Sequence, residues 1–190
     1  YSQQVVDAIN ALTLPRYGLG NYIAATPHQA PAPHEGGTIQ NLSRAGQRLK
    51  GFCRTNLFKR LESSGQAFLL SIERHILRNY VFLHALENNL PLPIGTQDIG
   101  LLDSRIFDED ADSDADTSDL FDEEGEGVQG EGFQGPLRTE QDFKRKAAEV
   151  YDEYTRKHQR RFKWLRADLF VPSLAKDLKA DAQSLFHVFH

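Results

Sequence analysis

Two runs of helically spaced apolar residues, set end to end across a short polar break, constrain this fold more than any other feature of the chain. From Ile39 onward, Leu42, Ala45, Leu49, Phe52 or Cys53, Leu57 and Leu61 recur every three or four positions, which is the spacing of one buried stripe on an α-helix. Beyond Ser63, Ser64 and Gly65 the stripe resumes with Leu69, Ile72, Ile76, Tyr80, Leu83 and Leu86. These stripes predict helices over 39–62 and 64–89. Ser63 and Gln66 have the spacing of a capping box, so the second helix should start at the serines and fold back on the first as an antiparallel pair. Gly46 and Gly51 weaken the first helix by about 1 kcal/mol each. Pro91 and Pro93 stop the second after Asn88 and Asn89.

The remaining patterns are also helical. Val5, Val6, Ile9 and Leu12 predict a helix over 2–14, ended by Pro15, and 17–25 can resume as a short helix. Pro27, Pro31 and Pro33 followed by Gly36 and Gly37 predict an irregular loop. Thr139 and Asp142 resemble an N-terminal cap. Phe143, Ala147, Val150, Tyr151, Tyr154, His158, Phe162 and Leu165 then predict one helix over 138–166. A last helix over 173–189 opens at Pro172-Ser173 and carries Leu174, Leu178, Ala182, Leu185 and Phe189 on one face. Its end, Phe186 to Phe189, is expected to need a further surface to pack on. No alternating strand pattern or internal repeat is visible. The expected fold is all-α, about five helices with a long antiparallel pair, organised as 1–107, an acidic loop over 108–135, and 136–190.

The net charge of −5 averages two unlike parts. Asp108 to Glu131 holds 12 of the 27 acidic residues and neither Lys nor Arg, and setting it aside leaves 15 acidic against 22 basic residues. The stretch to Gly135 has few large apolar residues. It cannot bury enough surface to offset its ordering entropy, so composition predicts disorder there. The basic body suits a polyanionic partner. One cysteine, Cys53, excludes an internal disulfide framework, and its neighbours Leu49 and Phe52 suggest a buried thiol. No window approaches the apolar length of a membrane span and the start is not a signal peptide, so the expectation is a cytoplasmic protein without a membrane partner. The opening at Tyr1 and the closing LFHVFH read as an excised fragment of a larger protein.

Several motif-like patterns fail on their physics. GEGVQG at Gly125, Gly127 and Gly130 has glutamates on both flanks, which would repel the phosphate of a dinucleotide. The run Asp108, Asp110, Asp112, Asp116 and Asp119 approaches a calcium loop, but Ser113 replaces the required glycine and Asp119 the bidentate glutamate. His187 and His190 lack a third ligand nearby, and no GxxxxGK[ST] loop is present. Basic clusters are better candidates. Arg156, Lys157, Arg160, Arg161, Lys163 and Arg166 form an acid-free run between Tyr154 and Ala167, and Arg48 and Arg54 lie along the first long helix. Such cations can meet backbone phosphates at the required spacing. Trp164 and Tyr154 beside them could stack on bases, although their spacing is also that of a core.

Leu57 to Phe68, LFKRLESSGQAF, sets Lys59, Arg60, Glu62, Ser63 and Ser64 inside an otherwise apolar helical pattern. This stretch resembles the segment that bacterial Swi/Snf-type helicases, which are superfamily-two DNA translocases, carry in the helical region between their two RecA-like motor lobes. Ala8 to Ile23, AINALTLPRYGLGNYI, resembles the lead-in to that region, and Trp164 to Leu185, WLRADLFVPSLAKDLKADAQSL, resembles the stretch leading into the second lobe. The resemblance implies a non-catalytic helical region of an ATP-dependent DNA helicase. Its partners would be the motor lobes of the same polypeptide and double-stranded DNA. Lys59, Arg60, Glu62, Ser63 and Ser64 would lie at a lobe interface. None of these stretches is an ATPase motif, so no catalytic residue and no metal ligand is assigned. ATP and Mg²⁺ are expected of the parent, not of this fragment. A free-standing nucleic-acid-binding helical module and a protein-interaction scaffold are the competing readings.

Overall fold

The computed structural model describes residues 3–25, 30–95 and 137–189. Among these are five α-helices: α1 Gln3–Ala11, α2 Pro33–Ser63, α3 Gly65–Glu87, α4 Glu140–Lys157 and α5 Ser173–Phe189. The acidic stretch 108–135, with GEGVQG and the calcium-loop-like run, lies outside the described residues, as does His190. The all-α expectation holds for the bulk of the fold.

Helix α3 is the axis on which the rest is built. From Ile76 to Ala85 its sequence is apolar on nearly every side, and Ile76, Leu77, Tyr80, Val81, Phe82, Leu83 and Ala85 are all buried. A helix of that kind needs neighbours all round. It finds α2, α4 and α5. The α2–α3 pair is antiparallel, because Cys53 meets His75, each equally far from Ser64 along the chain. Tyr80 stacks on Phe143 of α4 at 6.2 Å, and Phe143 in turn takes the edge of Phe186 from α5 at 6.0 Å. Phe186 is thus half-buried within the fold, and the side chain of Phe189 lies outside the described residues. Helix α3 stops where predicted. Asn89 adopts a left-handed φ of 52°, Leu90 N–H donates to Ala85 O at 2.8 Å, and Asn89 N–H donates to Leu86 O. This is the Schellman arrangement, with asparagine tolerating the turn.

Three expectations are corrected. Helix α2 starts at Pro33, so Gly36 and Gly37 are helical and not a loop. Two glycines cost about 2 kcal/mol. Against that, Pro33 occupies the first helical position, and the buried Glu35 carboxylate accepts the Ala32 N–H at 2.8 Å. The helix predicted over 138–166 ends at Lys157, with the Thr139–Asp142 capping box at its start as expected. After the 3-10 turn Gln159–Arg161 the chain extends as β2 Phe162–Leu165, which pairs antiparallel with β1 Leu92–Gly95. Leu92 and Ile94 are fully buried, and only a paired backbone could follow them into the core. Finally, it is Phe68 of α3 that is buried, whereas Leu69 and its neighbour Leu70 are 42% and 49% exposed.

The N-terminal segment wraps this core through two 3-10 turns, Pro15–Tyr17 and Leu19–Tyr22. Leu14 before them sits at φ 51°, ψ 57°, a left-handed conformation that disfavours leucine. The Asp181 carboxylate of α5, 5% exposed, accepts Thr13 N–H at 2.9 Å, the Thr13 hydroxyl at 2.8 Å and Leu14 N–H at 2.7 Å. One turn earlier Asp177 accepts the Tyr22 hydroxyl at 2.7 Å. Ile23 then bridges Phe170 in antiparallel fashion. Gly46 of α2 lets the first turn approach closely: a Cβ there would lie 3.4 Å from both Gly18 Cα and Tyr17 O.

Two substitutions test this account by urea unfolding. Asp181→Ala, which strands three donors, is expected to lower stability by about 3 kcal/mol. Gly51→Ala, at an exposed helical site with nothing within 4 Å of the added Cβ, is expected to raise it by about 0.5–1 kcal/mol.

Candidate functional site at the basic corner and the serine turn

The basic run does not lie on one helix face. It follows the chain around a corner made of three short pieces. Arg156 and Lys157 occupy the last turn of α4, where cations complement the negative end of the helix dipole. Arg160 lies in the following 3-10 turn, whose last residue is Arg161, and Lys163 lies on β2. Arg156, Lys157, Arg160 and Lys163 are exposed. Lys157 reaches Glu153 at 3.4 Å on its own helix, an exposed pair of the kind that contributes little.

The corner has a rigid aromatic backing. Trp164 Nε1 donates to Gln159 O at 2.9 Å, closing the 3-10 turn onto the strand. Phe162 packs against Tyr154 at 4.6 Å and against Trp164 at 5.7 Å, and Tyr151 meets Trp164 edge-on at 5.9 Å. Tyr151 donates its hydroxyl to Pro91 O at 2.7 Å, tying α4 to the start of β1. Tyr154 is buried, and Trp164 is half-buried against the core.

The other predicted cations are placed differently. Arg166 donates from Nε to Glu35 Oε1 at 3.1 Å and from its terminal nitrogen to Glu35 Oε2 at 3.2 Å and Ala30 O at 3.1 Å. Glu35 is only 3% exposed. Burial alone would raise its carboxyl, but the hydrogen bonds from Arg166 and Ala32 outweigh it and hold the group below the usual carboxylate range. Arg166 is thus a structural clamp between β2 and the start of α2. Arg54 donates to Leu12 O at the end of α1, and Arg48 is exposed on α2.

At the α2–α3 junction a single residue, Ser64, links the helices. Its φ of −160° and ψ of 126° are extended, and its hydroxyl accepts the Ala67 N–H at 3.4 Å, so Ser64 caps α3. Ser63 is not the cap, as the capping-box spacing had suggested; it closes α2 by donating to Arg60 O at 3.2 Å. Lys59, Glu62, Ser63 and Ser64 are exposed at this turn, beside Leu69 and Leu70, and Arg60 is half-buried.

One polar cluster has no signature in the sequence. Arg16 donates from Nε to Asn79 Oδ1 at 2.8 Å and lies 3.0 Å from His75 Nδ1. The other ring nitrogen of His75 is 3.7 Å from Cys53 Sγ, and Asn79 Nδ2 donates to Leu178 O at 3.1 Å. Cys53 is buried as expected, at 7% exposure. Burial, reinforced by Arg16 and Arg78, holds His75 well below the ordinary imidazole range.

Among the described residues no three His, Cys, Asp or Glu side chains are grouped to hold a metal ion, and no helix is long and apolar enough to cross a membrane. Ser64→Ala is expected to cost about 1 kcal/mol in thermal unfolding, and Ser63→Ala only a few tenths, because only the former is an N-cap. Compared with protein-family models, with curated proteins and with solved structures, the chain matches none.

Proposed function

We propose that this chain is the non-catalytic helical region between the motor lobes of an ATP-dependent DNA helicase or translocase. In this reading it bridges the lobes and touches the DNA backbone. The observation that carries the proposal is how the helicase-like stretches assemble. Ala8 to Ile23 and Trp164 to Leu185, far apart in sequence, fold against each other. Asp181 holds Thr13 and Leu14, Asp177 holds Tyr22, and Ile23 bridges Phe170. The third stretch, Leu57 to Phe68, forms the α2–α3 turn, with Lys59 and Glu62 exposed for a lobe. Segments that lead into and out of a region between two lobes need a common anchoring point, and this packing supplies one.

Arg156, Lys157, Arg160 and Lys163 are the phosphate contacts in this reading, with double-stranded DNA as the partner. Arg166 and Arg54 act inside the fold. ATP and Mg²⁺ belong to the parent enzyme. The exposed pair Leu69 and Leu70 favours a second reading, a protein-docking scaffold with no role for DNA.

Trp164, the one tryptophan of the chain, lies in the basic corner and reports binding by fluorescence. Duplex DNA is expected to bind with an affinity that falls steeply with salt. Arg160→Ala combined with Lys163→Ala should reduce the slope of log affinity against log salt by about 2. Affinity indifferent to salt and to both substitutions leaves the scaffold reading. Sequencing the gene on both sides separates motor from free-standing module: a phosphate-binding loop upstream and a second RecA-like lobe downstream are expected, and stop codons there would overturn the motor.

A further inference from the structure

The half-buried ring of His75 is hydrogen-bonded so that one proton fits and a second does not. Guanidinium groups only donate hydrogen bonds, so the Arg16 nitrogen 3.0 Å away requires His75 Nδ1 to be the lone-pair nitrogen. The ring proton then sits on Nε2, directed at Cys53 Sγ at 3.7 Å. A second proton on Nδ1 would set N–H against N–H and a full positive charge against the Arg16 guanidinium. Arg78 of α3 adds a further cation to the same ring. Tyr17, whose ring lies 6.3 Å from that of His75, contributes an uncharged face, and Cys53 is the group facing it from α2. The carboxylates of α5 nearest this segment are engaged elsewhere, Asp177 with Tyr22 and Asp181 with Thr13 and Leu14. The charged groups that shift the His75 ring are both cations, Arg16 and Arg78.

Arg16 also matters to the chain around it. The segment from Thr13 to Tyr22 is pinned at both ends by α5, at Thr13 and Leu14 through Asp181 and at Tyr22 through Asp177. Its middle is fastened to α3 by the Arg16 side chain, through Asn79 and His75. We propose that His75 is an acid-operated latch: the neutral ring holds the Pro15–Tyr17 turn against α3, and a second proton on the ring releases that turn while its two ends stay anchored. The proposal is independent of any role in DNA binding.

The direction follows from linkage. In the closed state burial, Arg16 and Arg78 hold the His75 ring below its ordinary range; in the open state Arg78 stays on α3 but Arg16 is gone, so the ring titrates closer to the ordinary imidazole value of about 6.5. The open state therefore binds the extra proton more tightly. Closure is fully favoured above that value and is progressively lost as pH falls below it. Going from about pH 7.5 to about pH 5.5 should raise the open fraction by up to about tenfold, the limit reached by a ring that recovers the ordinary value of about 6.5 when the turn opens.

The amides of Tyr17 and Gly18, which donate to Leu14 O and Pro15 O within the turn, provide the readout. Their hydrogen exchange is followed by NMR in the intact chain at each pH and divided into the rate for the unfolded chain at the same pH, which cancels the intrinsic pH dependence of amide exchange. Protection is expected to fall by up to about tenfold across that range while the far-ultraviolet circular dichroism keeps its helical signal. His75→Gln retains an acceptor for Arg16 and a donor for Cys53 but takes no proton, so its protection should stay flat. Arg16→Gln removes the opposing cation, so the His75 ring, followed by NMR, should titrate at higher pH than in the wild type. Flat protection in the wild type overturns the latch. So does an unchanged fall in His75→Gln, an unshifted ring titration in Arg16→Gln, or a loss of helical signal that parallels the loss of protection.

Discussion

The carboxylate of Asp181 accepts both backbone N–H groups of the Thr13–Leu14 turn together with the Thr13 hydroxyl, and the course of the N-terminal segment follows from that arrangement. A left-handed leucine costs about 1–2 kcal/mol, so the turn at Leu14 would not persist unaided. Glycine would remove that cost but would also remove a side chain that is buried here, a loss of about 2–3 kcal/mol, so leucine remains the better residue. The turn aims Arg16 at α3 and lays Gly18 on Gly46 of α2. It also brings Tyr22 to Asp177 and Ile23 to Phe170. An N-terminal segment, a central helix and a C-terminal helix are thereby made into one body by an oxygen pair from α5.

The long helices were legible because their apolar residues repeat at the helical period over many turns. Leu42, Leu49, Leu57, Leu61, Ile72, Ile76, Tyr80 and Leu83 are buried as that period requires. The strands were not, because four residues are too few to show a period, and Phe162 and Leu165 also fit the helical spacing carried over from α4. Gly36 and Gly37 read as loop residues because local propensity is blind to Arg166, which lies 131 positions from the Glu35 it clamps. The Arg16–His75–Cys53 cluster was invisible for the same reason: its members come from three separate elements and follow no spacing rule. Leu69 illustrates the limit of a stripe, since adjacent residues 68 and 69 both fit it and only packing chooses Phe68.

Counting basic residues could not separate those that face solvent from those already engaged. Arg166 and Arg54 have internal acceptors at Glu35 and Leu12, Arg156 and Lys157 have only long, exposed contacts to Asp152 and Glu153 on their own helix, and Arg160 and Lys163 extend from a corner stiffened by Trp164, Phe162 and Tyr154. The distinction matters physically. An engaged guanidinium must break a hydrogen bond to meet a phosphate, and an exposed one gives up only water and counterions. A candidate nucleic-acid surface is therefore narrower than the sequence suggested and is centred on the end of α4.

The span of α2 has a mechanical meaning. At 31 residues it is a rod about 46 Å long, clamped by Glu35 and Arg166 near its first turn and joined to α3 through Ser64 alone at its last. With no slack loop at that junction, α2 and α3 move there as one object. A tilt of about 5° about the Glu35 clamp carries the serine turn through about 4 Å, a distance comparable to the width of a side chain. Whatever touches Lys59, Glu62, Leu69 or Leu70 at that tip thus acts at the far end of a long arm, whose pivot is the ion pair that fastens the α2 start beside the basic corner.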